Sequence, residues 1–349
     1  AALAMCENID WNVGRILEEL QNSNLSENTI VIYLSDNGPN GYRWNGGMKG
    51  RKGSTDEGGV RSPMIINWPG KIPQGKIIKE IASGIDLLPT LKDLTGIKSK
   101  PKKPLDGISL KPILMEENPQ WKDRYIFNYW RGKMSLRNQN YRLGNGGKLF
   151  DMVNDPNQTK DVGMEKPIVL AEMQKVKKQW EKEVLTELPP KDERPFYIGH
   201  PSLHTTQVPA RDGMASGEIK RSNRHPNCTY FTHWINANDN ISWQVEVPQE
   251  GNFEVTVYYN CEEDAVGSVF EVSFEDSKIQ GTIKEAFNSE EYGAAEDRVV
   301  RIESYVKEFK PLNIGVMHLK KGRGKLTLKA VNKTGEKMMD FRLMLFKRL

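Results

Sequence analysis

Residues 30–39 read Ile30-Val31-Ile32-Tyr33-Leu34-Ser35-Asp36-Asn37-Gly38-Pro39. Five apolar residues run without a break and then stop at a carboxylate, an amide, a glycine and a proline. An unbroken apolar run of this length is the pattern of a strand covered on both faces of a parallel sheet, because a half-exposed strand alternates. Upstream, Ile9, Val13, Ile16, Leu17 and Leu20 recur at spacings of three and four, while Glu7, Arg15, Glu18 and Glu19 fall between them. That spacing predicts a helix with one buried stripe. A helix feeding a covered strand points to an α/β fold.

Downstream, a loop with seven glycines (Gly41, Gly46, Gly47, Gly50, Gly53, Gly58, Gly59) leads to a second apolar run, Met64-Ile65-Ile66-Asn67, closed by Trp68-Pro69-Gly70. Glycines at that density mark a backbone that turns tightly and approaches something closely. Asp86 is placed to cap a helix over 87–94, with Pro89 tolerated in its first turn and Gly96 ending it. Between 125 and 151 the pattern changes to short strands, and Val169, Met173, Val176, Trp180 and Val184 then mark one face of a long charged helix. The segment 189–212 carries five prolines without periodicity and reads as an extended linker.

Beyond it the period becomes two: Ile241/Trp243/Val245/Val247, Phe253/Val255/Val257/Tyr259, Phe270/Val272/Phe274, Leu326/Leu328/Ala330 and Met339/Phe341/Leu343/Leu345. Strands with one buried face, separated by turn residues, make an antiparallel sandwich or jelly roll. The expected plan is an α/β segment over 1–120, a small α+β subdomain over 121–188, a linker over 189–212 and an all-β domain over 213–349.

The 349 residues suit two domains of roughly 100–200 residues each. No window approaches the roughly 18 consecutive apolar residues of a membrane span, and no targeting segment opens the chain. Fifty basic residues against 46 acidic ones leave a net charge of +4, scattered rather than striped, which argues against nucleic acid as a partner. Cys6, Cys228 and Cys261 have no paired zinc spacing and are too few for a disulfide scaffold.

In an open α/β sheet, ligands collect beyond the carboxyl ends of the strands, where Asp36 and Asn37 lie. A carboxylate beside an amide carbonyl offers hard oxygen donors suited to Ca²⁺ or Mg²⁺, although an Asp-Asn-Gly turn has the same composition. Arg43, Lys49, Arg51, Lys52 and Arg61 add a density of cations that suits an oxyanion.

The stretch 32–39, followed by Gly46-Gly47-Met48-Lys49-Gly50-Arg51-Lys52-Gly53-Ser54-Thr55-Asp56-Glu57-Gly58-Gly59-Val60-Arg61-Ser62-Pro63, closely resembles the second signature region of the formylglycine-dependent sulfatases, in the alkaline phosphatase superfamily. Trp68-Pro69-Gly70-Lys71-Ile72, Ile85-Asp86-Leu87-Leu88-Pro89-Thr90-Leu91, Asp106-Gly107-Ile108-Ser109-Leu110, Leu149-Phe150-Asp151-Met152 and Asn154-Asp155-Pro156 extend the match in the family's order, over about residues 1 to 190. The resemblance implies that Asp36 and Asn37 are two ligands of a Ca²⁺ ion, with Mg²⁺ the lesser alternative, and that Lys52 contacts the substrate sulfate. It implies a holding role for Glu57 and Arg61. It places Arg43, Trp44 and Asn45 where a substrate subsite would lie.

The upstream Cys-x-Pro-Ser-x-Arg-type motif of the family, whose cysteine or serine becomes formylglycine, has no counterpart here. The resemblance therefore implies the carboxy-terminal portion of a longer sulfatase, acting on sulfated carbohydrate, with the formylglycine in an amino-terminal half that is the partner of this chain. Without that half, the strand ending at Asp36 has open edges and an open apolar face, so the first 120 residues are expected to fold poorly alone. The family is exported, which implies a periplasmic or extracellular location. A phosphodiester or phosphonate hydrolase of the same superfamily is an alternative. Another is a non-catalytic fragment whose sandwich, similar to one appended to some bacterial sulfatases, binds carbohydrate or covers the cleft. Tyr230, Phe231, Trp234 and Tyr292 are the candidate stacking rings, with Tyr230 and Trp234 foremost, although aromatics in alternating strands usually face inward, which would make them core or interface residues.

Overall fold

A computed structural model describes residues 2–42, 44–98, 100–116, 119–189 and 192–349, leaving Arg43 of the expected subsite and Pro190 of the expected linker outside the description. The chain divides into two compact units, 1–190 and 191–349.

The first unit opens with α1 (Ala2–Asn22), followed by β1 (Val31–Leu34), a one-turn α2 (Glu57–Val60) and β2 (Met64–Asn67). The stripe expected to be buried on α1 faces solvent: Ile9, Ile16 and Leu17 are exposed, and Val13 and Leu20 are half-buried. β1 also departs from expectation. It pairs antiparallel with β2, Val31 opposite Asn67 through Leu34 opposite Met64, and it is only half-covered. A five-residue apolar run carries no information about the direction of its partner, and here the glycine loop returns the chain against it.

Helix α3 (Leu87–Thr95) ends at Gly96, whose φ of 71° is the left-handed cap. Asp86, just before it, is fully buried and accepts from the backbone amides of Ser83 (2.8 Å) and Ile108 (3.0 Å) and from Arg124 (2.7 Å). Thr90 Oγ1 accepts from the amide of Leu110 at 2.9 Å. The 85–91 and 106–110 motifs are thus two halves of one hydrogen-bonded contact. It places α4 (Lys111–Met115), whose Ile113 and Leu114 pack with Met64 and Ile66 of β2.

A four-stranded antiparallel sheet follows, β3 (Ile126–Trp130), β4 (Lys133–Arg137), β5 (Tyr141–Leu143) and β6 (Leu149–Asp151), in sequence order. Helix α5 (Pro167–Val184) lies over it, with Met173 buried among Leu136, Leu143 and Leu149 and Trp180 stacked on Phe127 at 5.1 Å.

The second unit contains β7 (Phe196–Tyr197), β8 (Thr205–Pro209), β9 (Met214–Ala215), β10 (Lys220–Arg221), β11 (Phe231–Thr232), β12 (Asn240–Val247), β13 (Gly251–Asn260), β14 (Val269–Phe274), β15 (Ser277–Thr282), β16 (Glu291–Tyr292), β17 (Val306–Lys307), β18 (Lys310–Leu319), β19 (Gly322–Asn332) and β20 (Asp340–Arg348). Two six-stranded sheets form a sandwich. One runs β10-β11-β20-β13-β18 with β8 also on β20, and the other β15-β14-β19-β12-β7 with β9 also on β12. Trp243, Val255, Phe270, Leu328 and Phe341 fill the space between them.

Two expectations for this unit need correction. The segment 189–212 is not simply a linker, because β7 pairs with β12 and β8 with β20; Thr206 and Val208 alternate inward while Pro195 and Pro201 stand outside the strands. In β20 the inward set is Phe341, Met344 and Phe346, whereas Leu343 and Leu345 are half-exposed. The pairing with β13 slips at Tyr258/Tyr259, where one extra residue in β20 moves every later side chain to the opposite face.

Candidate active site

The chain leaves β1 into Asp36 and Asn37, and the glycine loop folds back under them. The amide of Gly38 donates to the Gly59 carbonyl at 2.9 Å, and the amide of Lys52 donates to the Pro39 carbonyl at 2.9 Å. A β-carbon on Gly38 would meet the Gly58 carbonyl oxygen, so only glycine lets the two backbones cross this closely. These contacts place the sulfate-contact candidate, Lys52, against the segment that carries the metal-ligand candidates. Asp36 is exposed, and the Asn37 amide nitrogen donates to its Oδ1 at 2.7 Å.

The loop cations differ in their surroundings. The Lys49 ammonium sits over the Phe150 ring at 4.6 Å, and the Arg51 guanidinium sits over Tyr42 at 5.1 Å and donates to the Asn40 carbonyl. Arg61 lies 3.7 Å from Glu57. Among the described residues, Lys52 is exposed and its ammonium has no partner. Among the described cations of this loop, it is the one left available to an anion.

An open cleft of about 590 Å³ lies beside these residues, lined by Asn37, Trp44, Asn45, Arg61, Pro156 and Asn157 among others. Trp44 is 84% exposed. Asn45 donates its amide nitrogen to the carbonyls of Met48 (2.6 Å) and Gly50 (3.0 Å), so it braces the loop as well as facing the cleft. Asp36 and Lys52 are not part of this lining.

Residues far along the chain hold the loop in place. Glu57 is buried and paired with Arg142 (2.7 Å) and with Arg137. Burial pushes its carboxyl up, but the two guanidinium groups outweigh it and hold the carboxyl below its ordinary value. Arg142 also donates to the Thr55 carbonyl (2.8 Å) and to Ser135 Oγ (2.9 Å), while Ser135 Oγ donates to the same carbonyl at 2.6 Å. Gln158 Oε1 accepts from the Glu57 amide at 2.8 Å. Sequence reasoning singled out Glu57 but not Arg137, Arg142 or Gln158. Contacts spanning 80 or more residues have no local period.

In the sandwich, Tyr230 and Trp234 are not stacking platforms. Trp234 is 1% exposed and Tyr230 is 8% exposed, with its hydroxyl donating to Glu291 at 3.0 Å and its ring against Phe309. Phe231 is also buried, since alternation in β11 sends it into the core; Tyr292 is exposed. The three cysteines are free thiols. No group of three or more His, Cys, Asp or Glu suited to a metal ion occurs among the described residues.

A family model described as Sulfatase matches residues 2–97, and one described as N-sulphoglucosamine sulphohydrolase, C-terminal, matches residues 52–188. Together these two matches span residues 2–188, nearly all of the first unit, and make it similar to the sulfatases. The chain is 41% identical over 130 residues to N-acetylgalactosamine-6-sulfatase of Canis lupus familiaris, covering 36% of this chain and 24% of that protein. It is 34% identical over 139 residues to steryl-sulfatase of Rattus norvegicus, covering 37% of this chain and 24% of the relative. The chain thus spans about a quarter of the length of these curated relatives. A solved 2-O GAG sulfatase aligns with 25% identity and a TM-score of 0.42, over 52% of this chain and 42% of that one.

Proposed function

We propose that the protein carrying this chain hydrolyses sulfate esters, with sulfated glycans as the substrate class and a formylglycine nucleophile supplied from outside these 349 residues. The observation that carries this reading is the unpartnered, exposed Lys52 ammonium on a loop bonded to the Asp36-Asn37 segment within a unit similar to the sulfatases. Lys52 balances charge on the sulfuryl oxygens, which favours the transition state over the ester. Trp44 offers an exposed ring to a sugar face beside the cleft.

Asp36 and Asn37 are adjacent hard-oxygen donors at a strand end and fit Ca²⁺ or Mg²⁺ as part of a ligand set. Ca²⁺ takes six to eight oxygens, so further donors must join them. Bound there, the cation would supply Lewis-acid polarisation of a sulfuryl oxygen. The two residues would hold it at the end of β1. Export to the periplasm or cell exterior completes the proposal, and no helix among the described residues is long and apolar enough to cross a membrane.

The test is sulfate release from sulfated oligosaccharides by the protein at its full encoded length, wild type against Lys52→Ala. Loss of about 10²–10³ in kcat for the variant is expected. Hydrolysis of phosphodiesters with no sulfate release would overturn the reading in favour of the related phosphodiester or phosphonate chemistry.

A further inference from the structure

We infer that Arg142 is a positioning residue for Lys52, fixing the sulfate-contacting loop to the four-stranded sheet through Thr55 and Glu57. The inference rests on the role proposed for Lys52. Arg142 sits on β5 with 2% exposure, and it faces the loop with two nitrogens at once: one reaches the Thr55 carbonyl (2.8 Å) and the other Glu57 Oε2 (2.7 Å). Thr55 is three residues beyond Lys52, and Glu57 opens α2. Ser135 Oγ and Gln158 Oε1, both buried, secure the same two residues from neighbouring parts of the sheet subdomain.

A buried guanidinium adds little net stability over a well-packed apolar side chain, because desolvation offsets its attractions. What a planar fork supplies instead is geometry: two donors at fixed separation lock the register of the segment that carries Lys52. A lysine at 142 would keep the charge and lose the fork.

The test compares wild type, Arg142→Lys and Arg142→Met at full length, by hydrogen exchange and by turnover of a sulfated oligosaccharide. Arg142→Lys is expected to speed exchange across residues 49–59 by at least about tenfold while peptides of α5 and of the second unit stay as in wild type. Its kcat is expected to fall about 10–100-fold, with no more than about a twofold further fall when it is added to Lys52→Ala, because Arg142 acts through Lys52. Unchanged exchange in 49–59, or full additivity with Lys52→Ala, would overturn the inference. Should both Arg142 variants lose protection throughout the first unit, Gln158→Ala, which frees the Glu57 amide and the Asp56 carboxylate and leaves Arg142 in place, carries the same comparison. Absence of sulfate release by wild type would remove the proposed activity, and the exchange comparison would still decide whether Arg142 orders the loop.

Discussion

The backbone amide of Glu57 donates to the side-chain oxygen of Gln158 at 2.8 Å across 101 residues of sequence. The bond ties the start of α2 to the turn after β6, where Gln158 itself is buried with a left-handed φ of 56°. Gln158→Leu leaves the Glu57 amide buried and without an acceptor, which costs about 1–3 kcal/mol. A lower urea midpoint for the first unit is expected; an unchanged midpoint would show that water replaces the bond.

The Glu57 carboxyl titrates below its ordinary value of 4.5 in the folded protein, because Arg142 and Arg137 outweigh its burial. A depressed folded-state value contributes stability that is complete above the unfolded value and is lost as pH falls through the folded one. Glu57→Gln is therefore expected to be less stable than wild type by about 3–5 kcal/mol at pH 7. The gap should close as pH falls below 4.5. Denaturation at a series of pH values measures it, and a gap independent of pH would remove the charge argument.

Gly59 packs against the carbonyls of Ser54 and Arg51, both of which a β-carbon would meet. Backbone atoms cannot step aside as a flexible side chain does, so Gly59→Ala should displace the loop at a cost of about 1–3 kcal/mol. Faster tryptic cleavage at Lys49, Arg51 and Lys52 reports the displacement, and wild-type cleavage rates would count against it.

Asp86 is fully buried with Arg124 at 2.7 Å and two backbone amides on its carboxylate. Asp86→Ala leaves Arg124, itself mostly buried, without its anion, and a loss of about 3–5 kcal/mol is expected. Hydrogen exchange at Ile108 and Leu110 should rise with it, since both amides depend on this contact or on Thr90 beside it.

Calcium should bind this 349-residue chain weakly. Two oxygen donors are far from the six to eight the ion takes, so titration calorimetry is expected to give a Kd above about 10⁻³ M. Micromolar binding would mean that other residues of the chain complete the site.

Much of this was legible from local chemistry. The alternation of Ile241, Trp243, Val245 and Val247 fixes a strand with one buried face because the strand period is two wherever the partner is regular. Where the partner is irregular the reading fails: Leu343 and Leu345 look inward by spacing, but the slip opposite Tyr258 and Tyr259 is a property of two strands together. Thr206 and Val208 went unread because the prolines around them dominate the composition. In the site, residues 36–61 form one contiguous segment whose hard oxygens, cations and glycines state their chemistry directly. The groups that brace it, Arg142 and Gln158, look like an ordinary strand arginine and turn glutamine until the chain is folded.

The placement of β20 bears on how the second unit is made. This strand lies inside its sheet, flanked by β13 on one side and by β8 and β11 on the other. During synthesis every neighbour leaves the ribosome before it does, so the sheet stays split until residues 340–348 emerge. Closure of this sheet is therefore expected to wait for residues 340–348, with β8 and β13 exposed to off-pathway pairing until then.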